Sequence, residues 1–459
     1  MLRYCAAACI AFLSPYLSSS LAANPAGEAS EPLCNLQALK APAWINNRTI
    51  YELNVRQFSE EGTFAAVEAD LDRIQDLGIG VIWLMPIHPI GETNRKGPLG
   101  SYYAVADYYG INPEFGDAAS LRSLIKAAHA RDIKVIIDWV GNHTAWDNPW
   151  AEDHPEFYEK DEKGHFTPPH GTDWTDVIQL NFENKELWDA MSQAMEYWVA
   201  EYDIDGFRCD YAVGVPTEFW NFATANLTSL KPNLYMLAEA EAPYLNVDAF
   251  HSSYGWPMHH VFNQVAQGKA NASKVIDQYN RQTIEFPTGT SLLLFTTNHD
   301  ENSWNGTTEE RMGDAKRAFD TLAFTLPGVP LIYNGQEASL AKALEFFERD
   351  PIDWSDLSET AFYKKLTDLR SSHPALSDPE SSFKRIPSDH DEQVFAFTRK
   401  SGGSQLTVIA NLSAEPLMFY LASQEVTGEH QDHFTGSKET LGYPAGMELE
   451  AWEFRVLIR

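Results

Sequence analysis

Titratable side chains follow four predicted strands of this chain. The third strand runs into DWVGNH (138–143), the fourth into GFRCD (206–210), the fifth into LAE (237–239) and the seventh into TNHD (297–300). In a parallel barrel the catalytic groups come from the carboxyl ends of the strands and from the loops that follow them. The spacing therefore predicts that carboxylates, histidines and an arginine meet on one rim.

Asp210 and Glu239 have the residue types and the neighbours of a nucleophile and an acid. Side chains alternate along a strand, so Arg208 and Asp210 share the inner face, and a guanidinium beside a carboxylate favours its ionised form. Glu239 follows the apolar residues 236–238, where loss of hydration would raise its pKa toward the value that a general acid needs. Two carboxyls in opposite environments suit the two roles.

Asp300, His143 and His299 extend the predicted site. Any one of the three carboxylates taken alone could equally be a helix cap or half of an ion pair. Their combination with two histidines at strand ends favours catalysis over packing. We therefore predict a catalytic site with Asp210, Glu239 and Asp300 at its centre.

The segments that must position these groups alternate between short apolar runs and amphipathic helices. This alternation, from Thr49 to Ser372, is typical of repeated β/α units around a parallel sheet. It predicts an α/β fold, a closed (β/α)8 TIM barrel, which we place at residues 44–375. The eight predicted strands are 50–55, 81–85, 134–138, 205–210, 235–239, 249–254, 292–297 and 329–333.

Two regions depart from the alternation. Residues 142–181 follow the third strand, are rich in Trp, Pro, His, Asp and Gly, and have little helical periodicity. A stretch of this length without regular structure indicates a functional excursion, here a short inserted subdomain. Residues 377–459 alternate strands with polar turns, which predicts a C-terminal antiparallel β-sandwich domain. Its expected strands are 393–399, 405–410, 417–421 and 448–458.

Composition and the first residues exclude several kinds of partner. Lys+Arg 34 against Asp+Glu 65 is a net charge of −31, which would repel nucleic acid and anionic membranes. Residues 1–22 have the layout of a secretory signal peptide, with Arg3 before an apolar stretch. We expect a secreted or periplasmic protein with no membrane attachment after cleavage. Cys34 and Cys209 then remain, and they indicate neither a disulfide framework nor a zinc site.

The four motifs together resemble those of the α-amylase family of glycoside hydrolases (family 13). DWVGNH resembles the first motif of that family, GFRCD the second, LAEAE the third and TTNHD the fourth. The resemblance implies that Asp210 is the catalytic nucleophile and Glu239 the general acid/base. It also implies that Asp300 binds sugar hydroxyls and stabilises the transition state.

The same resemblance implies a set of substrate-binding residues. Arg208, His143 and His299 match residues that surround the sugar on the non-reducing side of the cleaved bond, and Tyr103 matches the aromatic that stacks beneath that sugar. Trp304 follows Asp300 by four residues on the same loop. We expect Trp304 to contact bound sugar as well.

The implied reaction is retaining hydrolysis of α-1,4 bonds in malto-oligosaccharides or starch-derived α-glucans, through a covalent glycosyl-enzyme intermediate. Two other functions remain open at this stage. A transglycosylase would pass the same intermediate to a second sugar, and an inert sugar-binding protein would be expected to lose one of the three carboxylates. The chemistry needs no cofactor, and the expected partners are α-glucan oligosaccharides bound by a monomer.

One departure from the family pattern concerns a metal. Many starch-degrading members have a Lys-His pair that contacts the sugar beyond the cleaved bond and helps to hold calcium, but Val213 and Gly214 stand here. Gln179 stands where an Asp is usual, and Asn142 remains as a possible ligand. A neutral amide and the missing His remove much of the oxygen cage that Ca²⁺ prefers. We therefore predict no metal ligands, and a structural Ca²⁺ is disfavoured.

Overall fold

The core of the molecule is a closed barrel, seen in a computed structural model that describes residues 32–459. Within them, eight parallel strands pair in chain order and close on themselves, which confirms the predicted (β/α)8 class. The predicted signal peptide, residues 1–22, lies outside the described residues. The strands are β1 (Ile50–Leu53), β2 (Val81–Leu84), β3 (Lys134–Val140), β4 (Gly206–Asp210), β5 (Tyr235–Ala238), β6 (Ser252–Tyr254), β7 (Ser291–Leu294) and β8 (Val329–Tyr333).

Helices surround the barrel, and the longer ones pack apolar side chains against its strands. The Ala118–His129 helix, for example, buries Leu121, Leu124 and Ile125. None of the helices in residues 32–459 combines the length and the apolar character that a membrane crossing needs. The α-helices are Val55–Phe58, Phe64–Ala69, Leu71–Asp76, Ala118–His129, Pro149–Asp153, Lys185–Tyr202, Thr217–Leu230, Trp256–Ala266, Ser273–Glu285, Thr308–Met312, Lys316–Thr325, Thr360–Ser372 and Pro374–Ser377.

Four barrel strands, β1, β2, β5 and β7, end earlier than the sequence pattern predicts. β5 ends at Ala238 and β7 at Leu294, and Asp300 lies in the loop after β7. Glu239 directly follows β5, where its backbone N–H still donates to the Cys209 carbonyl of β4 at 3.0 Å. β5 and β7 flank the short β6, which has only three residues with which to pair. Of the three catalytic candidates, Asp210 is therefore the last residue of a strand, Glu239 directly follows one, and Asp300 lies in a loop.

The segment after β3 folds into a small unit beside the barrel. His143–Ala145 pairs antiparallel with Val177–Gln179, so that His143 lies opposite Gln179. The ribbon packs on the loop after β2, because the Ala145 N–H donates to the Val105 carbonyl at 2.9 Å. The insertion thus connects the end of β3 with a neighbouring strand loop.

The C-terminal residues form the predicted antiparallel β domain, and its two sheets bury Ile409, Phe419 and Leu457. The single strand predicted at 448–458 is wrong, because the chain turns at Trp452, whose φ is 58°, and its halves join different sheets. In the described residues one sheet has the order Ser382–Ile386, Val394–Ser401, Ser404–Asn411, Phe454–Ile458, Gly428–Asp432 and Lys438–Leu441, and Leu417–Leu421 pairs with Ala445–Leu449.

Candidate active site

The end of the barrel formed by the carboxyl termini of the strands collects the predicted catalytic groups. β3 and β4 pair in a register that sets Asp138 beside Arg208. Arg208 and Asp210 are two residues apart on β4, so both point into the barrel, while Cys209 packs in the core between strands and helices. Glu239 follows β5, the next strand around the barrel, and reaches the same rim.

Arg208 is fully buried and joins three carboxyls. Its Nη1 lies 2.9 Å from Asp138 Oδ1 and 3.0 Å from Asp210 Oδ1, and its Nη2 lies 3.0 Å from Glu239 Oε2. Its Nε donates to the Tyr254 hydroxyl at 3.2 Å. The two carboxyls predicted to carry out the reaction are therefore attached to the same cation, which restricts their relative position.

Asp210 and Glu239 share one electrostatic environment. Burial raises the pKa of Asp210, and Arg208 opposes that effect without reversing it. Burial also raises the pKa of Glu239, again opposed by Arg208. The expectation of opposite environments is wrong, because the guanidinium reaches Glu239 with its second terminal nitrogen. The two side chains are 12% and 18% exposed, so both reach the cleft.

His299 is the second cation of the site. Its Nδ1 contacts Glu52 of β1, and its Nε2 lies 3.4 Å from Asp300 Oδ1. Burial by itself would lower the pKa of His299, but the charges of Asp300 and Glu52 raise it to about 9. The ring is therefore protonated at neutral pH. It lies beside Asp300, whose own pKa is raised by burial.

Tyr103 links the two cations. Its ring stacks on His299, with centroids 5.5 Å apart and 22° between the planes. Its hydroxyl lies 2.9 Å from His299 Nε2 and donates to Asp138 Oδ2 at 3.2 Å, and Asp138 in turn pairs with Arg208. The structure thus brings six of the predicted residues into one connected cluster: Tyr103, Arg208, Asp210, Glu239, His299 and Asp300.

The other two predicted residues, His143 and Trp304, have aromatic neighbours. His143 is buried beside the Trp174 ring, 5.4 Å between centroids, and burial lowers its pKa to about 4, so it is neutral. Trp304 is 58% exposed and connects to the cluster through Phe346. The Phe346 centroid lies 5.2 Å from that of Trp304 and 6.3 Å from that of Tyr103.

Sequence reasoning misses Asp138, Glu52 and Phe346. Asp138 is the first residue of the DWVGNH motif, and the alternation of side chains along β3 could have placed it on the inner face. Glu52 is an acid inside an otherwise apolar strand, a pattern that indicates a buried partner. Phe346 lies on the loop after β8, where the local sequence has no pattern that marks it.

Two amides hold the loop that carries Phe346. Gln57 Nε2 donates to two backbone carbonyls of this loop, at 2.7 and 2.9 Å, and Asn302 Nδ2 donates to a third at 3.0 Å. Asn302 belongs to a single turn of π-helix, Glu301–Asn305, that begins directly after Asp300. Such turns are frequent at functional sites. The position of Phe346 is thereby coupled to the loop that carries Asp300.

The Gln179 amide lies against Asn142, the possible calcium ligand that remains from the family pattern. Gln179 Nε2 donates to the Asn142 carbonyl at 3.0 Å and also lies 3.1 Å from Asn142 Oδ1 and 3.2 Å from the Leu180 carbonyl. Three oxygens that could bind a cation therefore surround a hydrogen-bond donor. Within residues 32–459, no group of three or more His, Cys, Asp or Glu side chains could hold a metal. These residues do not fit Ca²⁺, which needs six to eight oxygens.

Comparisons of the amino-acid sequence with known proteins agree on a catalytic domain. Residues 46–380 match the family model described as the α-amylase catalytic domain. The chain is also 30% identical over 397 residues to the protein named alpha-amylase MalA from Haloarcula japonica. That match covers 82% of this chain and 57% of the relative, so the chain spans somewhat more than half of the relative's length.

Comparisons with solved structures agree with the sequence. The maltogenic alpha-amylase AmyB from Thermotoga neapolitana superposes with a TM-score of 0.84 at 30% identity, covering 90% of this chain and 99% of that one. An alpha-amylase from Lactobacillus plantarum superposes with a TM-score of 0.81 at 32% identity, covering 91% and 100%. In both cases nearly the whole of the solved chain is matched.

Proposed function

The chain belongs to the α-amylase family of glycoside hydrolases, and we propose that it hydrolyses α-1,4-glucosidic bonds in malto-oligosaccharides and related α-glucans with retention of configuration. The observation that carries this proposal is the attachment of Asp210 and Glu239 to the single guanidinium of Arg208. Carboxyls held in this way are close neighbours. A retaining glycosidase needs its two carboxyls about 5–5.5 Å apart.

The first step forms a covalent intermediate. Glu239 protonates the glycosidic oxygen while Asp210 attacks the anomeric carbon, and the leaving sugar departs with the proton. The raised pKa of Glu239 favours the protonated form that this step requires. In the second step Glu239 removes a proton from water, the water oxygen attacks the anomeric carbon, and the Asp210 carboxylate is released beside Arg208.

Asp300 and His299 serve the sugar that is attacked. The Asp300 side chain is 35% exposed, so its oxygens can accept hydrogen bonds from sugar hydroxyls, and the protonated His299 restrains it. The positive charge that develops on the ring in the oxocarbenium-like transition state is stabilised by the surrounding carboxylates. Tyr103, stacked on His299, offers a flat amphipathic ring to the same sugar.

Incubation of the purified protein with maltoheptaose tests this function directly. Shorter maltosaccharides released first as the α-anomer, followed by NMR, are the expected products. Products released as the β-anomer would overturn the retaining mechanism. Products longer than the substrate would indicate transglycosylation by the same intermediate, and absence of turnover on maltoheptaose and other α-glucosides would leave an inert sugar-binding protein.

We also propose that residues 1–22 direct export to the medium or the periplasm. The supporting observation for export is the sequence of this segment, an early cation before an apolar stretch that ends in small residues. N-terminal sequencing of the natural protein should find a chain that begins near Ala23. A mature protein that keeps Met1 would contradict export.

We propose in addition that the mature protein is a monomer. A gel-filtration mass of two chains would contradict this.

A further inference from the structure

Glu301 is a buried carboxylate that directly follows Asp300 in the chain. It is 6% exposed and begins the single turn of π-helix, Glu301–Asn305. Its backbone N–H, which belongs to the peptide bond with Asp300, donates to Asn298 Oδ1 at 2.8 Å. A displacement of Glu301 would therefore also move the backbone that carries Asp300.

Both oxygens of the Glu301 carboxylate have partners. Asn305 Nδ2 donates to Oε1 at 3.0 Å and so closes the turn on itself. His259 Nε2 lies 3.1 Å from Oε2, and Arg311 Nη1 lies 3.6 Å from the same oxygen. His259 belongs to the helix that follows β6, and Arg311 to a short helix that follows the π-helical turn. The carboxylate thus connects the Asp300 loop to two helices.

The same two basic residues also hold the chain before Asp300. Arg311 Nη2 donates to the Thr296 carbonyl at 2.9 Å, and His259 Nδ1 lies 3.3 Å from the Phe295 carbonyl. Phe295 and Thr296 are the first two residues after β7. The loop is therefore fixed on both sides of Asp300, and Glu301 is the attachment on the far side.

The Glu301 carboxylate is ionised. Burial by itself would raise its pKa, but the hydrogen bond with His259 and the charge of Arg311 lower it to about 2. Arg311 is only 7% exposed, and a buried cation that loses its partner is strongly destabilising. A neutral side chain at position 301 should therefore weaken the attachment of the loop to both helices.

Asp300 itself depends on this backbone for its position. Within residues 32–459 its carboxylate forms one ion pair, with His299 Nε2 at 3.4 Å, and its side chain is 35% exposed. One contact of this length leaves the direction of the carboxylate to the loop. A displacement of about 1 Å at a reacting centre can lower a rate about 100-fold.

We propose that Glu301 is a positioning residue of the reaction, which holds the loop so that the Asp300 carboxylate meets the hydroxyls of the sugar that Asp210 attacks. Glu301 does this through the backbone of Asp300 and does not itself touch the substrate. The inference rests on the proposed function, since it requires that Asp300 serve the transition state.

The experiment measures kcat and KM on maltoheptaose for Glu301→Ala and Glu301→Gln. In Glu301→Ala we expect kcat to fall about 100-fold. In Glu301→Gln we expect about tenfold, because an amide oxygen can still accept from Asn305 but carries no charge for Arg311. KM should change less than about threefold, because the contacts of Asp300 strengthen in the transition state.

A matched control separates positioning from stability. Glu359 is 9% exposed, lies directly before the helix Thr360–Ser372 and accepts two hydrogen bonds from Arg317, each at 3.0 Å. Glu359→Gln should lower the thermal midpoint as Glu301→Gln does, but it should leave kcat unchanged. A loss of kcat in both variants would show that any weakened buried ion pair has this effect and would overturn the inference.

A double-mutant comparison tests whether Glu301 acts through Asp300. In an Asp300→Asn background, Glu301→Ala should lower kcat less than about threefold, because the group that it positions has already been replaced. A further 100-fold loss in that background, or wild-type kcat in Glu301→Ala, would overturn the inference while the hydrolase assignment stands. If the wild type has no activity on maltoheptaose or other α-glucosides, the proposed function fails and the inference fails with it.

Discussion

The two ends of β4 both carry buried charge, but the charges are balanced in opposite ways. Asp205, directly before the strand, accepts hydrogen bonds from His129 Nε2 at 2.7 Å and from Lys134 and Lys231 Nζ, each at 3.1 Å. Three basic side chains thus share one carboxylate. At the other end of the strand, three carboxyls share the guanidinium of Arg208.

The pKa values follow this balance. Burial by itself would raise the pKa of Asp205, but the His129 hydrogen bond and the Lys231 charge bring it far below its usual range. Burial raises the pKa of Asp210 and of Glu239, since one guanidinium cannot compensate for three carboxyls. The same residue type therefore serves stability at the amino end of the strand and proton transfer at its carboxyl end.

The largest expected effect is that of Asp210→Asn at the carboxyl end. We expect kcat on maltoheptaose to fall about 10⁴-fold, because an amide cannot form the covalent intermediate. The fold should persist, with an unchanged far-UV circular dichroism spectrum. A variant with near-normal activity would show that Asp210 is not the nucleophile.

The next largest effect is expected from Glu239→Gln. Activity on maltoheptaose should fall about 10³-fold, because no proton reaches the glycosidic oxygen. The loss on α-glucosyl fluoride should be much smaller, since fluoride leaves without protonation. Initial rates on the two substrates give the comparison, and equal losses on both would argue against Glu239 as the acid.

Asp205→Asn tests the amino end of the same strand. Losing the charge that pairs with two lysines should lower the free energy of unfolding by about 2 kcal/mol, a value reduced by the partial exposure of both lysines. Urea denaturation measures this change. Asp72→Asn, which removes an 82% exposed carboxylate paired with Arg131, is the control and should cost less than about 0.5 kcal/mol. Equal decreases in the free energy of unfolding for the two variants would show that the buried pairs of Asp205 stabilise the fold no more than an exposed ion pair does.

The pH dependence of stability should also differ between Asp205, at the amino end of β4, and His299, in the cluster at the carboxyl end of the barrel. The folded-state pKa of Asp205 lies below the unfolded value of about 3.9, so its contribution is present above that pH and is lost on acidification. The pKa of His299, raised to about 9 from about 6.5, gives a contribution that is complete below pH 6.5 and lost as pH rises through 9.

Glu52→Gln sharpens this comparison because it removes one of the two charges that raise the pKa of His299. Urea midpoints at pH 6 and pH 9.5 should differ less in the variant than in the wild type. The same difference in both proteins would show that the Glu52 contact does not hold the proton on His299.

The smallest effect is expected from a chelator. Because Gln179 Nε2 lies among the oxygens of Asn142 and Leu180, removal of divalent cations should leave the thermal midpoint of the wild type unchanged. Gln179→Asp should place a carboxylate there and make the midpoint rise when calcium is added. A wild-type midpoint that falls with chelator would show that a cation is needed after all.

The residues that the sequence identified are those marked by local patterns. Alternating apolar runs and amphipathic helices were enough to predict the barrel, and the strand-end motifs were enough to place Asp210, Glu239 and Asp300 at its carboxyl end. Strand ends were less accurate at β1, β2, β5 and β7, because the residue pattern does not show where a neighbouring strand stops pairing. The short β6, for example, offers only three residues to β5 and β7. The strand predicted at 448–458 is wrong because the chain turns at Trp452, and the alternation of residues does not indicate that turn.

The sequence by itself determined which side chains reach the carboxyl end of the barrel, since a period of two and the order of the strands decide that. Only the tertiary structure decided how their charges are shared. Arg208 reaches Glu239 as well as Asp210 through packing of neighbouring strands, and Glu52 meets His299 from 247 positions away in the chain. Electrostatic interactions depend on distance and burial in space, and spacing along the chain does not contain either quantity.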